Sequence, residues 1–116
     1  MKISEIKELL GAELLVGEEL LSNDVSYAFC SDMMSDVLAY VKEQGVLITG
    51  LVNPQVIRTA NMMDMVCVVF ARGKNPTDEM LELANECGVA VMRTDKRSFE
   101  TCGLLYSAGL ERTFEG

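Results

Sequence analysis

Short apolar runs alternate with amphipathic stretches along almost the whole chain, and this order constrains the fold more than any other feature. The runs are four to seven residues long and mostly rich in β-branched side chains; they cover residues 12–16, 25–30, 46–49, 65–71 and 89–92. Two of them, 46–49 and 66–70, show no alternation of apolar and polar residues, which is typical of strands covered on both faces of a parallel sheet. Strands that alternate with helices connect through right-handed crossovers. We therefore predict an α/β fold, a three-layer α/β/α sandwich with a mostly parallel sheet of about five strands, in which the first strand is antiparallel or at an edge.

Five stretches between these runs carry apolar residues at helical spacing, together with residues that favour helix ends. They cover residues 4–10, 32–43, 54–62, 77–87 and 98–107. Ser4 and Ser98 are the predicted N-caps of the first and last helices, and either Ser31 or Asp32 caps the second. The third begins at an Asn-Pro pair, and a glycine ends the fourth.

Length and charge limit the domain count and the partners. A chain of 116 residues is one domain by size, and we assign residues 1–116 to it. The formal net charge of -8 argues against nucleic acid and anionic membranes as partners. The chain contains no run of about 18 consecutive apolar residues, so no transmembrane helix is predicted. The first residues lack the pattern of a signal peptide. We therefore expect a cytoplasmic protein.

The absence of histidine removes the commonest general base and the commonest metal ligand. The four cysteines contain no C-x-x-C pair, so they are expected to be buried free thiols rather than metal ligands; they are Cys30, Cys67, Cys87 and Cys102. Carboxylate pairs such as Asp32 and Asp36 fit a solvated helix face. We expect no catalytic residues, no metal and no cofactor.

Basic residues gather where two predicted strands end. Residues 1–57 hold three bases and nine acids, whereas residues 58–116 hold seven bases and nine acids, and five of the ten bases lie within 72–74 and 93–97. Ligands of open α/β sheets bind at the carboxyl ends of the strands, where helix N-termini also point. We predict a small-anion site there; its residues are Gly50, Asn53, Arg72, Gly73, Lys74, Arg93, Thr94 and Ser98. The alternative is that these bases solvate loops and pair with nearby acids.

Methionine is the other unusual feature, with eight in the chain and five of them clustered at 33–34 and 62–65. Methionine fills irregular cores and also adaptable interfaces. Neighbouring residues on a helix point about 100° apart, so adjacent methionines cannot all face one core. Met62, Met63 and Met65 are therefore a candidate protein–protein surface, with core filling as the alternative.

The order of several short segments resembles the DRTGG domain family over nearly the whole chain. The segments are residues 9–15, 33–38, 47–50, 73–76, 81–84, 88–92 and 98–101. The chain departs from the family at its signature residues. The family's Asp-Arg pair is not matched near residues 50–53, and its Thr-Gly-Gly corresponds to residues 71–73, of which only Gly73 is a glycine. The family's late Asp-Thr-Phe corresponds to 97–99. The domain is also similar to the N-terminal, non-catalytic domain of HPr serine kinase/phosphorylase, and it occurs in CBS-containing pyrophosphatases and phosphate acetyltransferases.

This resemblance implies an α/β/α sandwich, a regulatory role without catalysis, and a homodimer. It implies no kinase chemistry, because the kinase P-loop belongs to a different domain. The leading hypothesis is a regulatory or ligand-sensing module that binds a small anion such as an adenine nucleotide. The second is an adaptor that docks a larger enzyme through the methionine-rich surface. The third is a small phosphotransfer or hydrolytic enzyme that uses Asp32 or Asp95.

Overall fold

The computed structural model describes residues 1–41 and 44–112 and contains six strands and five helices within them. The strands are β1 (Glu13–Val16), β2 (Tyr27–Cys30), β3 (Gly45–Thr49), β4 (Cys67–Phe70), β5 (Ala90–Arg93) and β6 (Glu111–Arg112). The helices are α1 (Ile3–Leu10), α2 (Met34–Tyr40), α3 (Pro54–Met62), α4 (Asp78–Cys87) and α5 (Ser98–Ser107). Each predicted strand and helix is present, but α2 is shorter than predicted, and residues 42–43 of its predicted end lie outside the described residues.

The strands form one sheet in the order β1-β5-β4-β3-β2-β6. Strands β2 to β5 pair in parallel, and β1 runs antiparallel to β5 at one edge, with a bulge between Leu14 and Val16. The two-residue strand β6 pairs in parallel with β2 and was not predicted. The predicted mostly parallel sheet is confirmed, including both alternatives for the first strand.

Helices cover both faces of the sheet and complete the three-layer sandwich. Helices α1 and α5 pack on one face against alternate strand residues such as Val46, Ile48 and Val69. Helices α2, α3 and α4 pack on the other face, where Leu47, Val68 and other strand residues meet them. Every residue of β3 and β4 is buried, which explains why these strands show no alternation in sequence.

Three predicted helix caps are wrong. Helix α2 begins at Met34 with Met33 as its N-cap, so neither Ser31 nor Asp32 caps it. Helix α1 begins at Ile3 instead of after Ser4, since the backbone N–H groups of both residues donate to carbonyls of the loop at 21–23. Helix α5 begins at Ser98 with Arg97 as its N-cap and has no side-chain cap. The Asn53 cap of α3 is confirmed, as is the end of α4 at Gly88, which adopts a left-handed conformation.

The four cysteines are free thiols, but they are not all buried. Cys67 is buried, Cys87 and Cys102 are half-buried, and Cys30 is exposed, so the prediction of burial is wrong for Cys30. Cys30 is the last residue of β2, where the cover of the sheet ends. In the described ranges, no helix is long and apolar enough to cross a bilayer, and no three metal-ligating side chains lie close enough to share an ion.

Gly17 connects β1 to the short helical turn at 18–20, and two constraints require glycine at this position. Its φ of 97° lies in a region that L side chains rarely adopt, and an added Cβ would lie 2.7 Å from the Ala90 Cα. Gly109 has a nearly identical φ of 101°, but an added Cβ there meets nothing within 4 Å.

Substitution of these two glycines separates the conformational cost from the steric cost. We expect Gly109→Ala to lower the free energy of unfolding by about 1–2 kcal/mol, the usual cost of a left-handed alanine. Gly17→Ala should cost about a further 1–3 kcal/mol, because the Cβ must displace buried backbone. Urea denaturation followed by circular dichroism measures both, and equal losses would show that the contact with Ala90 relaxes freely.

Candidate functional site

Asp32 joins the loops that follow β2 and β3 at the carboxyl ends of the strands. One of its carboxylate oxygens accepts hydrogen bonds from the Gly50 backbone N–H at 2.8 Å and from the Thr49 hydroxyl at 2.9 Å. The Thr49 oxygen in turn accepts from the Leu51 backbone N–H. The other carboxylate oxygen of Asp32 lies 3.7 Å from the Arg72 guanidinium, which comes from the loop after β4. A single exposed carboxylate therefore ties together three loops.

The hydrogen bond from the Gly50 backbone N–H is the main reason that the pKa of Asp32 is lowered from its ordinary value. The Thr49 hydroxyl and the Arg72 charge act in the same direction, while partial burial opposes them. Asp32 is therefore ionised throughout the physiological pH range.

Arg72 and Gly73 turn the chain after β4 through two successive left-handed residues, with φ values of 61° and 68°. The turn is held because the Arg72 backbone N–H donates to the Lys96 carbonyl and the Gly73 backbone N–H donates to the Thr94 carbonyl. A left-handed conformation is uncommon for arginine and costs about 1–3 kcal/mol, so these contacts compensate it. The guanidinium lies so close to Gly50 that an added Cβ there would collide with it. Gly50 therefore provides the space in which Arg72 reaches Asp32.

Arg93 and Thr94, two predicted ligand residues, have partners within the protein. Arg93 is 23% exposed, and its guanidinium contacts Glu13, Asp95 and the Gly73 carbonyl. Its Nε is buried with no hydrogen-bond partner in the described part of the chain. The Thr94 side chain is buried and donates to the Leu10 carbonyl. Arg93 and Thr94 therefore stabilise the surrounding loops in this structure.

The remaining predicted residues lie around the same edge. The Asn53 side chain accepts from the Gln55 backbone N–H as the cap of α3, and Ser98 is half-buried at the start of α5. Lys74 is exposed and forms no ion pair with residues 1–41 or 44–112. Arg72 and Lys74 are thus two exposed bases in one turn, and the Arg72 guanidinium lies beside Gly50 and Asp32.

Asp32 was not among the predicted ligand residues, although it follows a predicted strand directly. The sequence signal was its position in a strand-end loop, and its contacts with Gly50 and Arg72 depend on the parallel pairing of β2 with β3. Sequence spacing alone does not supply that pairing.

The structure corrects one part of the predicted methionine surface. Met62 is 66% exposed and Met63 is half-buried, but Met65 is only 3% exposed and packs in the core beside α3 and α4. Met65 leads directly into the fully buried strand β4, which explains its burial.

Asp32→Asn tests the link between the three loops. The folded-state pKa of Asp32 is lowered, so its charge stabilises the fold above the unfolded pKa of about 3.9, and this contribution disappears as the pH falls through the folded value. At pH 7 the variant should lose up to about 1 kcal/mol of unfolding free energy, a small value because the pair is half-exposed. The loss should shrink as the pH falls below 4.

Glu82→Gln provides the matched control, since it removes the same charge from an exposed position within α4. Urea denaturation of both variants across pH 3 to 7 measures the effect. A pH-independent loss in Asp32→Asn, or an equal pH dependence in Glu82→Gln, would contradict the role assigned to the charge of Asp32.

A comparison with solved structures finds the same fold in a larger protein. The crystal structure of the CBS and DRTGG domains of the regulatory region of Clostridium perfringens pyrophosphatase, complexed with its activator diadenosine tetraphosphate, matches with a TM-score of 0.72 and 19% identity. The match covers 90% of this chain and 45% of that chain, so this protein corresponds to less than half of the region compared. No curated protein sequence matches this chain.

The sequence also matches a described domain family, and the match extends over nearly all of the elements described above. It covers residues 5–108, from within α1 to the residue after α5. The matched description is that of the DRTGG domain. The chain therefore belongs to the DRTGG domain family.

Proposed function

We propose that this protein is a non-catalytic, cytoplasmic ligand-sensing domain that binds an adenine nucleotide or another small anion at the carboxyl ends of the strands. Arg72 and Lys74 are its anion-binding side chains, and Gly50, Gly73 and Asn53 shape the surrounding loops. Ligand binding would act as the regulatory signal, because the site joins the loops after β2, β3 and β4.

The observation that carries this proposal is the weak ion pair between Arg72 and Asp32, in which a phosphate can take the place of the carboxylate. Its atoms are 3.7 Å apart and its side chains are 40% and 55% exposed, so it contributes little to stability. If Arg72 turns towards a phosphate, Asp32 keeps its hydrogen bonds from Gly50 and Thr49. An arginine can bind a phosphate through two parallel hydrogen bonds. The Asp32 carboxylate, half-exposed and 3.7 Å from the Arg72 guanidinium, makes a weaker contact than that.

Two carboxylates considered for catalysis are engaged elsewhere, which supports a role without chemistry. Asp32 has a lowered pKa and is held by three groups, so it is a weak proton acceptor. Asp95 pairs with Arg93 at 3.1 Å. The regulatory role is also supported by family membership and by the pyrophosphatase regulatory region, whose complex contains an adenine dinucleotide activator. Four free cysteines fit a reducing compartment such as the cytoplasm.

Thermal unfolding in the presence of AMP, ATP and diadenosine tetraphosphate tests the proposed ligand class. A ligand at ten times its Kd adds about 1.4 kcal/mol to the native state, which raises Tm by roughly 5 °C for a domain of this size. We expect Arg72→Ala combined with Lys74→Ala to abolish the shift. Sodium chloride at matched ionic strength separates binding at the site from a general salt effect.

The matched control is Lys7→Ala combined with Arg58→Ala, which removes the same charge from helices α1 and α3. This variant should keep the full shift. The absence of any shift with all three nucleotides at millimolar concentration would reject the proposal, as would equal losses in both double variants.

A second candidate function is protein–protein association through α2 and α3, either as a homodimer or with a larger enzyme. Four large apolar side chains of these neighbouring helices are strongly exposed; they are Met33 (61%), Leu38 (45%), Tyr40 (53%) and Met62 (66%). Exposed apolar side chains mark an interface where they form a contiguous patch, and dimerisation through these helices would require one. We define these four side chains as the α2/α3 surface.

Met62→Glu tests association through the α2/α3 surface. Sedimentation velocity should show a concentration-dependent dimer of the unmodified protein, and the variant should be monomeric with an unchanged circular dichroism spectrum. Phe99→Glu is the matched control, because Phe99 is 92% exposed on α5, on the opposite face of the sheet. If both variants dimerise like the unmodified protein, the α2/α3 surface is not the dimer interface.

A further inference from the structure

Cys30 and Cys102 meet in a shallow, mostly apolar cleft of about 160 Å³ between β2 and α5. Ile48, Leu105 and Tyr106 contribute to its walls. Side chains alternate along a strand, so Cys30 faces the same side of the sheet as Ala28, which is the side covered by α5. The sequence separates these two cysteines by 72 positions, and the fold brings them together.

The first turns of α5 present two hydrogen-bond donors to Cys30. Ser98 and Cys102 lie four residues apart on one face of the helix, so both side chains are directed towards Cys30. The N-terminus of α5 has no side-chain cap, and the partial positive charge of a helix N-terminus favours a nearby thiolate. Cys30 is also exposed, so a reagent can reach its sulfur.

These contacts affect the acidity of the two thiols in opposite directions. The hydrogen bond from Cys102 lowers the pKa of Cys30 to about 7, with help from Ser98 and against burial and the charge of Asp32. The same hydrogen bond raises the pKa of Cys102, which keeps its proton. Tyr106 also lies at the cleft wall. Near pH 7, the pair thus combines an accessible thiolate with an adjacent protonated thiol.

We propose that Cys30 and Cys102 form a redox-active dithiol, in which Cys30 attacks small-molecule disulfides and Cys102 resolves the product. The Cys30 thiolate attacks one sulfur of a disulfide such as oxidised glutathione, forming a mixed disulfide and releasing one glutathione thiolate. The Cys102 thiol then loses its proton and attacks the Cys30 sulfur, which releases the second glutathione. The two protein thiols are oxidised to one disulfide, and the glutathione disulfide is reduced to two thiols.

The second step follows from the first. Once Cys30 is in a mixed disulfide, it no longer carries the charge that holds the proton on Cys102, so the pKa of Cys102 falls back towards that of an ordinary thiol. To form the disulfide, the two sulfurs have to reach a bond length of about 2 Å.

The rate advantage expected for Cys30 is moderate. At pH 7 a thiol of pKa 7 is half ionised, whereas an ordinary thiol of pKa about 8.5 is ~3% ionised, a roughly 16-fold difference in thiolate. A more acidic thiolate is intrinsically less nucleophilic, and with a Brønsted slope of about 0.45 the net advantage is ~3-fold. Selectivity therefore depends on the resolving thiol as much as on acidity.

The experiment treats the reduced, full-length protein with oxidised glutathione and identifies products by intact mass and peptide mapping under non-reducing conditions. We expect the loss of two hydrogens and a peptide that links Cys30 to Cys102. Cys102→Ser should accumulate a glutathione adduct on Cys30, and Cys30→Ser should form neither product. Cys87→Ser is the matched control, since Cys87 is half-buried on α4, on the opposite face of the sheet from the cleft, and the variant should react like the unmodified protein.

Alkylation by iodoacetamide at different pH values provides a readout that does not depend on disulfide formation. Cys30 should react with a midpoint near pH 7 and about 3-fold faster than an ordinary thiol at that pH, and Ser98→Ala should move the midpoint upwards. Circular dichroism confirms that each variant is folded. The proposal is overturned by a Cys30–Cys30 linked dimer as the main product, by an adduct on Cys30 that persists although Cys102 is intact, or by equal reaction of Cys87.

Discussion

Two-sided burial of the parallel strands determines where this protein can place polar groups. All residues of β3 and β4 are buried between two layers of helices, so these strands carry no charged side chains, and charged groups near them lie in the loops at their ends. Parallel pairing brings the carboxyl ends of β2 to β5 to the same edge, where the Asp32 loop and the Arg72 loop meet. The candidate site therefore follows directly from the packing of the core. Two exposed bases, Arg72 and Lys74, can therefore lie in one turn at this edge of a chain whose net charge is -8.

The burial of the strands on both faces also accounts for what could be predicted from the sequence. The unbroken apolar run of β3 and the Asn53 cap of α3 act locally, so the sequence pattern identified both correctly. The predicted caps at Ser4 and Asp32 failed because distant groups engage these residues: carbonyls of the loop at 21–23 for the first, and Thr49 with the Gly50 backbone for the second. Helix α5 has no side-chain cap, and Ser98 is its first helical residue. Strand β6 has only two residues and exists through its pairing with β2, which no local pattern indicates.

The predicted ligand residues divide according to which way their side chains point. Position in a strand-end loop selected Arg72, Arg93 and Thr94 together, but successive residues near a strand end face different directions. Thr94 turns inward to the Leu10 carbonyl, and Arg93 reaches sideways to Glu13 on the antiparallel strand β1. Arg72 remains half-exposed beside Gly50, because its left-handed backbone directs the chain away from the strand. Sequence spacing locates such a loop, whereas the direction of each side chain depends on tertiary contacts.

If both proposals hold, Asp32 couples the two sites. Its charge raises the pKa of Cys30, two residues earlier in the chain, and Arg72 neutralises part of that charge. An anion that draws Arg72 away leaves the carboxylate less compensated, so the Cys30 thiolate becomes less favourable and its reaction with disulfides slower. Because binding free energies are reciprocal, the ionisation state of Cys30 must change the affinity for the anion by the same factor. Closure of the Cys30–Cys102 disulfide removes the thiolate charge from this edge of the sheet and thereby favours anion binding. The domain would then respond to two inputs, a nucleotide and the thiol redox state, through one carboxylate.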